Sequence, residues 1–138
     1  MRHEGINWLA IIVAAIIPMV LGGLWYSNVL FAKQWMAAIG KTEEEIRSSV
    51  KNPAALYAAT FVASLVAAYV IDNFVYWTNT TSFLRGMKIG AMLSIGVFAV
   101  GAYQTVMFEF RRRELYTINT AYNVVCIVLM GGLLAVWR

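Results

Sequence analysis

Residues Ile6–Tyr26 read INWLAIIVAAIIPMVLGGLWY, an apolar run without one Asp, Glu, Lys, Arg or His. At about 1.5 Å per helical residue, such a run is long enough to cross a hydrocarbon core of about 30 Å. Three more runs share its character: Pro53–Ile71, Ile89–Phe108 and Leu115–Trp137 carry none of those side chains either, and the charges collect in the gaps. The pattern predicts an all-α chain, an integral membrane four-helix bundle forming a single transmembrane domain over residues 1–138. Its spans fall at about 6–26, 53–72, 88–108 and 115–137.

Composition agrees with that expectation. The chain is 61% hydrophobic and 13% charged, and the charged share is about half that of an ordinary soluble domain. At 138 residues it has room for one domain and no separate soluble module. The net charge of +4 comes from basic residues beside the apolar runs, where Lys and Arg anchor and orient a membrane protein. Nucleic acid is therefore not an expected partner; the lipid bilayer is. The first run exceeds the roughly 7–15 residues of a secretory signal, and bulky Trp25-Tyr26 occupies the place of a cleavage motif, which predicts an uncleaved first span. Cys126, the only cysteine, lies deep in the fourth run and reads as a small packing residue.

Four spans put both termini on the side of the connection that follows the second span. That side carries Arg2, Arg85, Lys88 and Arg138, whereas the first and third connections carry Lys33, Lys41, Arg47, Lys51, Arg111, Arg112 and Arg113. Seven cations against four predict cytoplasmic first and third connections and periplasmic termini. Trp8, Tyr76, Trp77 and Trp137 then mark the outer boundary, and Trp25, Tyr26, Tyr57, Phe108, Phe110 and Tyr116 the inner one. Asn79-Thr80-Thr81 matches a glycosylation acceptor on the outer side, a triplet frequent by chance.

The first connection has its own pattern. Phe31, Trp35 and Ile39 recur at helical spacing with Leu30 and Met36 alongside, while Lys33, Gln34 and Lys41 fall opposite. That predicts a short amphipathic helix in the membrane interface, ended by Gly40, with the segment Phe31, Lys33, Trp35 and Met36 as a candidate contact surface. Thr42 with Glu45 forms a capping box for a second short helix, and Asn52-Pro53 opens the second span.

Lipid supplies no hydrophobic drive between helices, so small residues and polar contacts must hold the spans together. Small residues recur every four positions: Ala10 and Ala14, followed after Pro18 by Gly22, in the first span; Ala55, Ala59, Ala63 and Ala67 in the second; Gly86, Gly90 and Ser94 in the third; Gly131 and Ala135 in the fourth. These are expected packing faces, within the bundle or between protomers, and Pro18 is expected to kink its helix. Polar residues inside a membrane are costly and point to function or to helix contacts. Gln104 lies about one turn inside Glu109, and Asn119 and Asn123 share a face of the fourth span. The short turn between these spans makes them antiparallel neighbours, so Gln104, Glu109, Asn119 and Asn123 form the candidate polar cluster. Structural hydrogen bonding is the plainer account of the cluster, and a ligand or ion site the sharper one. Asp72-Asn73, at the opposite end, is expected to terminate the second helix near Arg2, Arg85 or Arg138.

No catalytic residues are discernible, and no enzyme activity is expected. The one histidine is His3, and no nucleophile–base set, metal-ligand cluster or phosphate-binding glycine loop is present. Neither a metal nor another cofactor is called for.

Several segments together resemble one family. Ile6-Asn7-Trp8, Gly23-Leu24-Trp25-Tyr26-Ser27, Leu30-Phe31 with Lys33 and Trp35-Met36, and Gly40-Lys41-Thr42-Glu43-Glu44 resemble the first half of the bacterial membrane family called domain of unknown function 1761. Phe108-Glu109, Asn119, Gly131 and Ala135-Val136-Trp137 are similar to its closing half, while Asn28 stands where the family pattern often has proline. The resemblance implies four transmembrane helices in a bacterial inner membrane and assigns no activity. The resulting expectation is a small membrane protein acting through helix–helix contacts, as a homo-oligomer or as an accessory subunit of a larger membrane complex. The alternative is a four-span transporter or channel for a small molecule or ion; a proton-coupled one needs a carboxylate mid-membrane, which the first span lacks.

Overall fold

The computed structural model describes residues 5–137, and among the described residues it contains helices and no strand. Helix α1 (Trp8–Trp25) starts where the Asn7 side chain accepts the Ala10 N–H at 3.1 Å. Two short helices follow, α2 (Ala32–Ile39) and α3 (Glu43–Ser49). Gly40 ends α2 at φ +70°, a left-handed conformation that strains any residue with a Cβ. Thr42 caps α3 by accepting the Glu45 N–H at 3.3 Å, and Asn52 caps α4 (Pro53–Trp77) by accepting the Ala55 N–H at 3.1 Å. Ser82 does the same for α5 (Phe83–Leu93). A π-helical turn, Ser94–Ala99, joins α5 to α6 (Val100–Glu109), and α7 (Arg113–Val136) completes the chain. With α5, the π turn and α6 taken together, four helices are long and apolar enough to cross a membrane.

Two boundaries differ from the sequence expectation. The second long helix runs to Trp77 rather than ending near residue 72, and Asp72-Asn73 does not terminate it. Asp72 is buried on the same stripe as Ala68, Ile71 and Val75, so the helix continues to bury Val75. It stops where the Thr78 hydroxyl donates back to the Phe74 carbonyl at 2.8 Å. The third starts at Phe83 rather than residue 88, because Ser82 provides the cap and lets exposed Arg85 and Lys88 ride on the first turns. Arg2, His3 and Arg138 lie outside the described residues.

The core is concentrated at one end. Ala10, Ile11 and Ala14 of α1 meet Ala68, Ile71 and Val75 of α4 and Met130, Leu134 and Ala135 of α7. At the same end α5 lies against α7 backbone to backbone. A Cβ on Gly90 would come within 2.5 Å of the Ile127 carbonyl oxygen, and one on Gly86 within 2.8 Å of the Gly131 carbonyl carbon. Gly86 and Gly90 thus meet α7 at Ile127, Gly131 and Ala135, the kind of close approach that lets helices associate in lipid without hydrophobic drive. By contrast, Ala55, Ala59 and Ala63 are exposed and take no part in packing within the chain; α4 buries Ser64 and Ala68 instead. Residues 51–60 are exposed throughout, and beyond the π turn α6 touches α7 far less than α5 does. The helices are therefore tight at the end holding the 78–82 connection and splayed at the end holding the 110–112 turn.

Candidate functional site

The splayed end is organised by aromatic side chains. Trp25 and Tyr26 close α1, and the chain turns there so that α2 folds back beside them. Trp25 lies 4.9 Å from Phe31 between ring centroids, and Tyr26 lies 5.1 Å edge-on from Trp35. Phe31 and Trp35 are half-buried against this cluster while Lys33 and Gln34 are exposed, and Met36 is half-buried beside Tyr26 and Glu43. Tyr122 of α7 completes the cluster, 5.4 Å from Tyr26 and 6.3 Å from Trp25. Such edge-to-face pairs contribute about 0.5–1.5 kcal/mol each beyond the area they bury.

Three polar tips in this cluster have partners across the chain. The Trp25 indole N–H donates to the Ile118 carbonyl at 3.1 Å, and the Tyr26 hydroxyl donates to Asn119 Oδ1 at 2.7 Å. The Tyr122 hydroxyl donates to the Pro18 carbonyl at 2.5 Å. These three bonds tie the end of α1 to α7, leaving the rings to present apolar surface. Asn123 donates from Nδ2 to the Asn119 carbonyl at 2.8 Å and so stays on its own helix.

Between α1, α4 and α7 this cluster walls a cleft of about 630 Å³. Met19, Gly22, Tyr26 and Tyr122 form one side, Leu56, Tyr57 and Thr60 the other, and Trp35 stands at the edge. The volume falls in the range of small-molecule sites, about 300–1,000 Å³. Its chemistry is plain: no Asp, Glu, Lys, Arg or His lines it, and Thr60 already donates to the Leu56 carbonyl at 2.9 Å. The cleft can enclose an apolar or aromatic body; it offers no carboxylate for a proton relay. Among the described residues, no group of three His, Cys, Asp or Glu comes together to hold a metal.

The four residues of the polar cluster are not brought together. Asn119 and Asn123 face α1 and their own helix, as above. Glu109 forms an ion pair with Arg111 at 2.5 Å, both largely exposed at the turn. Gln104 is exposed and makes no hydrogen bond among the described residues. Its neighbours Ala102 and Val106 are the residues turned toward α7, and a residue two positions from each lies about 200° round the helix. The sequence fixes how deep Gln104 sits but not which way it faces, because the π turn at Ser94–Ala99 shifts the register of α6 relative to α5. The partners missed from sequence are Tyr26 and Trp25. Their distance of 93 positions from Asn119 and Ile118 hides them, although their place at the span boundary was visible.

No curated protein and no solved structure matches the chain. A family model described as "protein of unknown function (DUF1761)" matches residues 9–135, which include every residue of the aromatic cluster, the cleft and the 110–112 turn. The chain belongs to that family.

Proposed function

We propose that the protein is a bacterial inner-membrane four-helix bundle whose task is carried by helix–helix contacts, as a homo-oligomer or as an accessory subunit of a larger membrane complex. In this reading α2 lies in the cytoplasmic interface, the first and third connections face the cytoplasm, and both termini face the periplasm. The observation that carries the reading is Gln104. Among the described residues its amide has no hydrogen-bond partner; it stands on the outward face of α6, in the span that is least covered: 6% of its most apolar window is buried, against 39% for α7. An amide held in hydrocarbon without a partner costs several kcal/mol by transfer scales, and a neighbouring helix removes that cost. Gly101, on the same helix, has open space where a Cβ would be, unlike Gly86 and Gly90 one half-span away. A polar residue beside an uncovered glycine suits a second helix at close range.

The test is purification from the native membrane in mild detergent, followed by measurement of the mass of the complex. A second copy or a stoichiometric partner is expected, and Gln104→Leu is expected to weaken its retention. Recovery of a lone chain under conditions that keep known complexes intact overturns the reading. No catalysis and no cofactor belong to this task.

The 630 Å³ cleft favours a second reading, a four-span transporter or channel. Because the lining has no ionised side chain, the solute would be neutral and largely apolar. Flux of such a solute in proteoliposomes, lost in Tyr57→Ala with folding intact, would favour it over the subunit reading.

A further inference from the structure

A separate groove of about 200 Å³ runs between α6 and α7. Phe98, Ala102 and Val106, with Thr105, line one side and Leu115, with Asn119 and Thr120, the other, while Arg111 and Arg112 stand at its mouth. From Phe98 to Val106 it extends about 12 Å along the helix. The groove is built rather than a loose gap. At its deep end the Tyr116 hydroxyl donates to the Ala99 carbonyl at 2.8 Å, joining α7 to the last residue of the π turn. At its mouth Arg112 Nη1 donates to the Ala37 carbonyl at 3.2 Å, so α2 holds that guanidinium in place. Arg111 is held through Nε by Glu109, which leaves its two terminal nitrogens to other acceptors. α7 begins here without a side-chain cap, so the positive end of a long helix adds to the same field, offset in part by Glu114 in its first turn.

Arg111 and Arg112 are exposed at the turn, and a mainly apolar slot leads inward from them. Cationic at its mouth and mainly apolar below, the groove is complementary to one amphiphile. We propose that it holds a single anionic phospholipid, with the headgroup phosphate on Arg111 and Arg112 and one acyl chain between α6 and α7. Guanidinium groups suit this because they offer paired N–H donors to phosphate oxygens. The inference rests on the membrane reading above, but not on the oligomer.

The experiment reconstitutes the whole chain into bilayer discs of phosphatidylcholine with a minor share of phosphatidylglycerol, extracts it gently, and counts retained lipids by mass spectrometry. One phosphatidylglycerol is expected to stay bound, preferred over phosphatidylcholine by at least about tenfold, the value of one charge-assisted hydrogen bond. The Arg111→Gln/Arg112→Gln pair should lose this preference, and Arg112→Lys should lose part of it. Ala102→Phe, which fills the groove and leaves every charge in place, should lose the retained lipid. Lys51→Gln, which removes a cation from the same predicted face away from the groove, should leave it unchanged. Helical circular dichroism verifies that each variant is folded. Equal loss in Lys51→Gln, or full retention in Ala102→Phe, would mean bulk charge attraction and overturns the site. Displacement by soluble glycerol phosphate as readily as by the diacyl lipid overturns the acyl-chain half. A chain that enters the discs but retains no lipid refutes this inference alone; one that does not enter them refutes the membrane reading.

Discussion

Adding one methyl group at Gly86 should loosen the tight end of the molecule. In Gly86→Ala the new Cβ would lie 2.6 Å from Ala135 Cβ and 2.8 Å from the Gly131 carbonyl carbon, where ordinary contact begins at 3.4 Å. The helices must part there by at least about 0.8 Å, because the Gly131 carbonyl oxygen lies closer still and neither a Cβ nor a backbone carbonyl can rotate away. A gap of about 0.5–1 Å forfeits a quarter to a half of each dispersion contact it opens, and overpacking of a close-fitted site costs about 1–3 kcal/mol. Alanine returns up to about 1 kcal/mol through helix propensity. A net loss near 2 kcal/mol is expected, up to about thirtyfold in the folded-to-unfolded ratio. The assay is reversible unfolding in detergent, with the same substitution at Gly101 as control. Nothing lies within 4 Å of a Cβ at Gly101, so Gly101→Ala should leave the monomer as stable or slightly more so. Equal stability of the two variants would refute the close approach of α5 and α7.

Other substitutions test the splayed end. Tyr26→Phe and Asn119→Ala, measured singly and together, should show a coupling of roughly 0.6–2 kcal/mol for their bond across 93 positions; additive losses would mean that the bond is not made. Tyr122→Phe removes the hydroxyl that donates to the Pro18 carbonyl and should cost about 1 kcal/mol, whereas Tyr57→Phe, whose hydroxyl is exposed, should cost nothing measurable in the same unfolding assay. Asn52→Ala removes the cap of α4 and should cost about 1 kcal/mol, detectable as faster hydrogen exchange confined to its first turn; exchange spread over the whole helix would contradict a local cap.

Much of the architecture was legible because helices long and apolar enough to cross a membrane declare themselves by length and polarity. The caps at Thr42, Asn52 and Gly40 were legible too, since each depends on residues a few positions apart. The Gly86–Gly90–Ser94 face found its partner in Gly131 and Ala135 because a glycine ladder has few other uses. The alanine stripe from Ala55 to Ala63 shows the limit: alanine is tolerated on any face of an apolar helix, and here it faces outward. The end of α4 was misplaced because Asp72 reads as a helix stop in sequence, whereas the fold buries it. The four residues Gln104, Glu109, Asn119 and Asn123 are dispersed for a different reason. Depth along a helix follows from counting, but facing depends on register, and the π turn is a one-residue shift that apolar Ser94–Ala99 does not announce. The Asn119 side chain bonds to Tyr26, which comes from the other end of the chain rather than from the neighbouring span.

The central claim is that the outward face of α6 meets another helix in the membrane. A photo-crosslinking amino acid placed at Gln104 tests it in the native membrane, with the same probe at Val20, also exposed, as the comparison. The account predicts a discrete product of fixed mass from position 104, either twice the chain or the chain plus one partner, and none from position 20. No product at 104, or the same diffuse products from both positions, would contradict it.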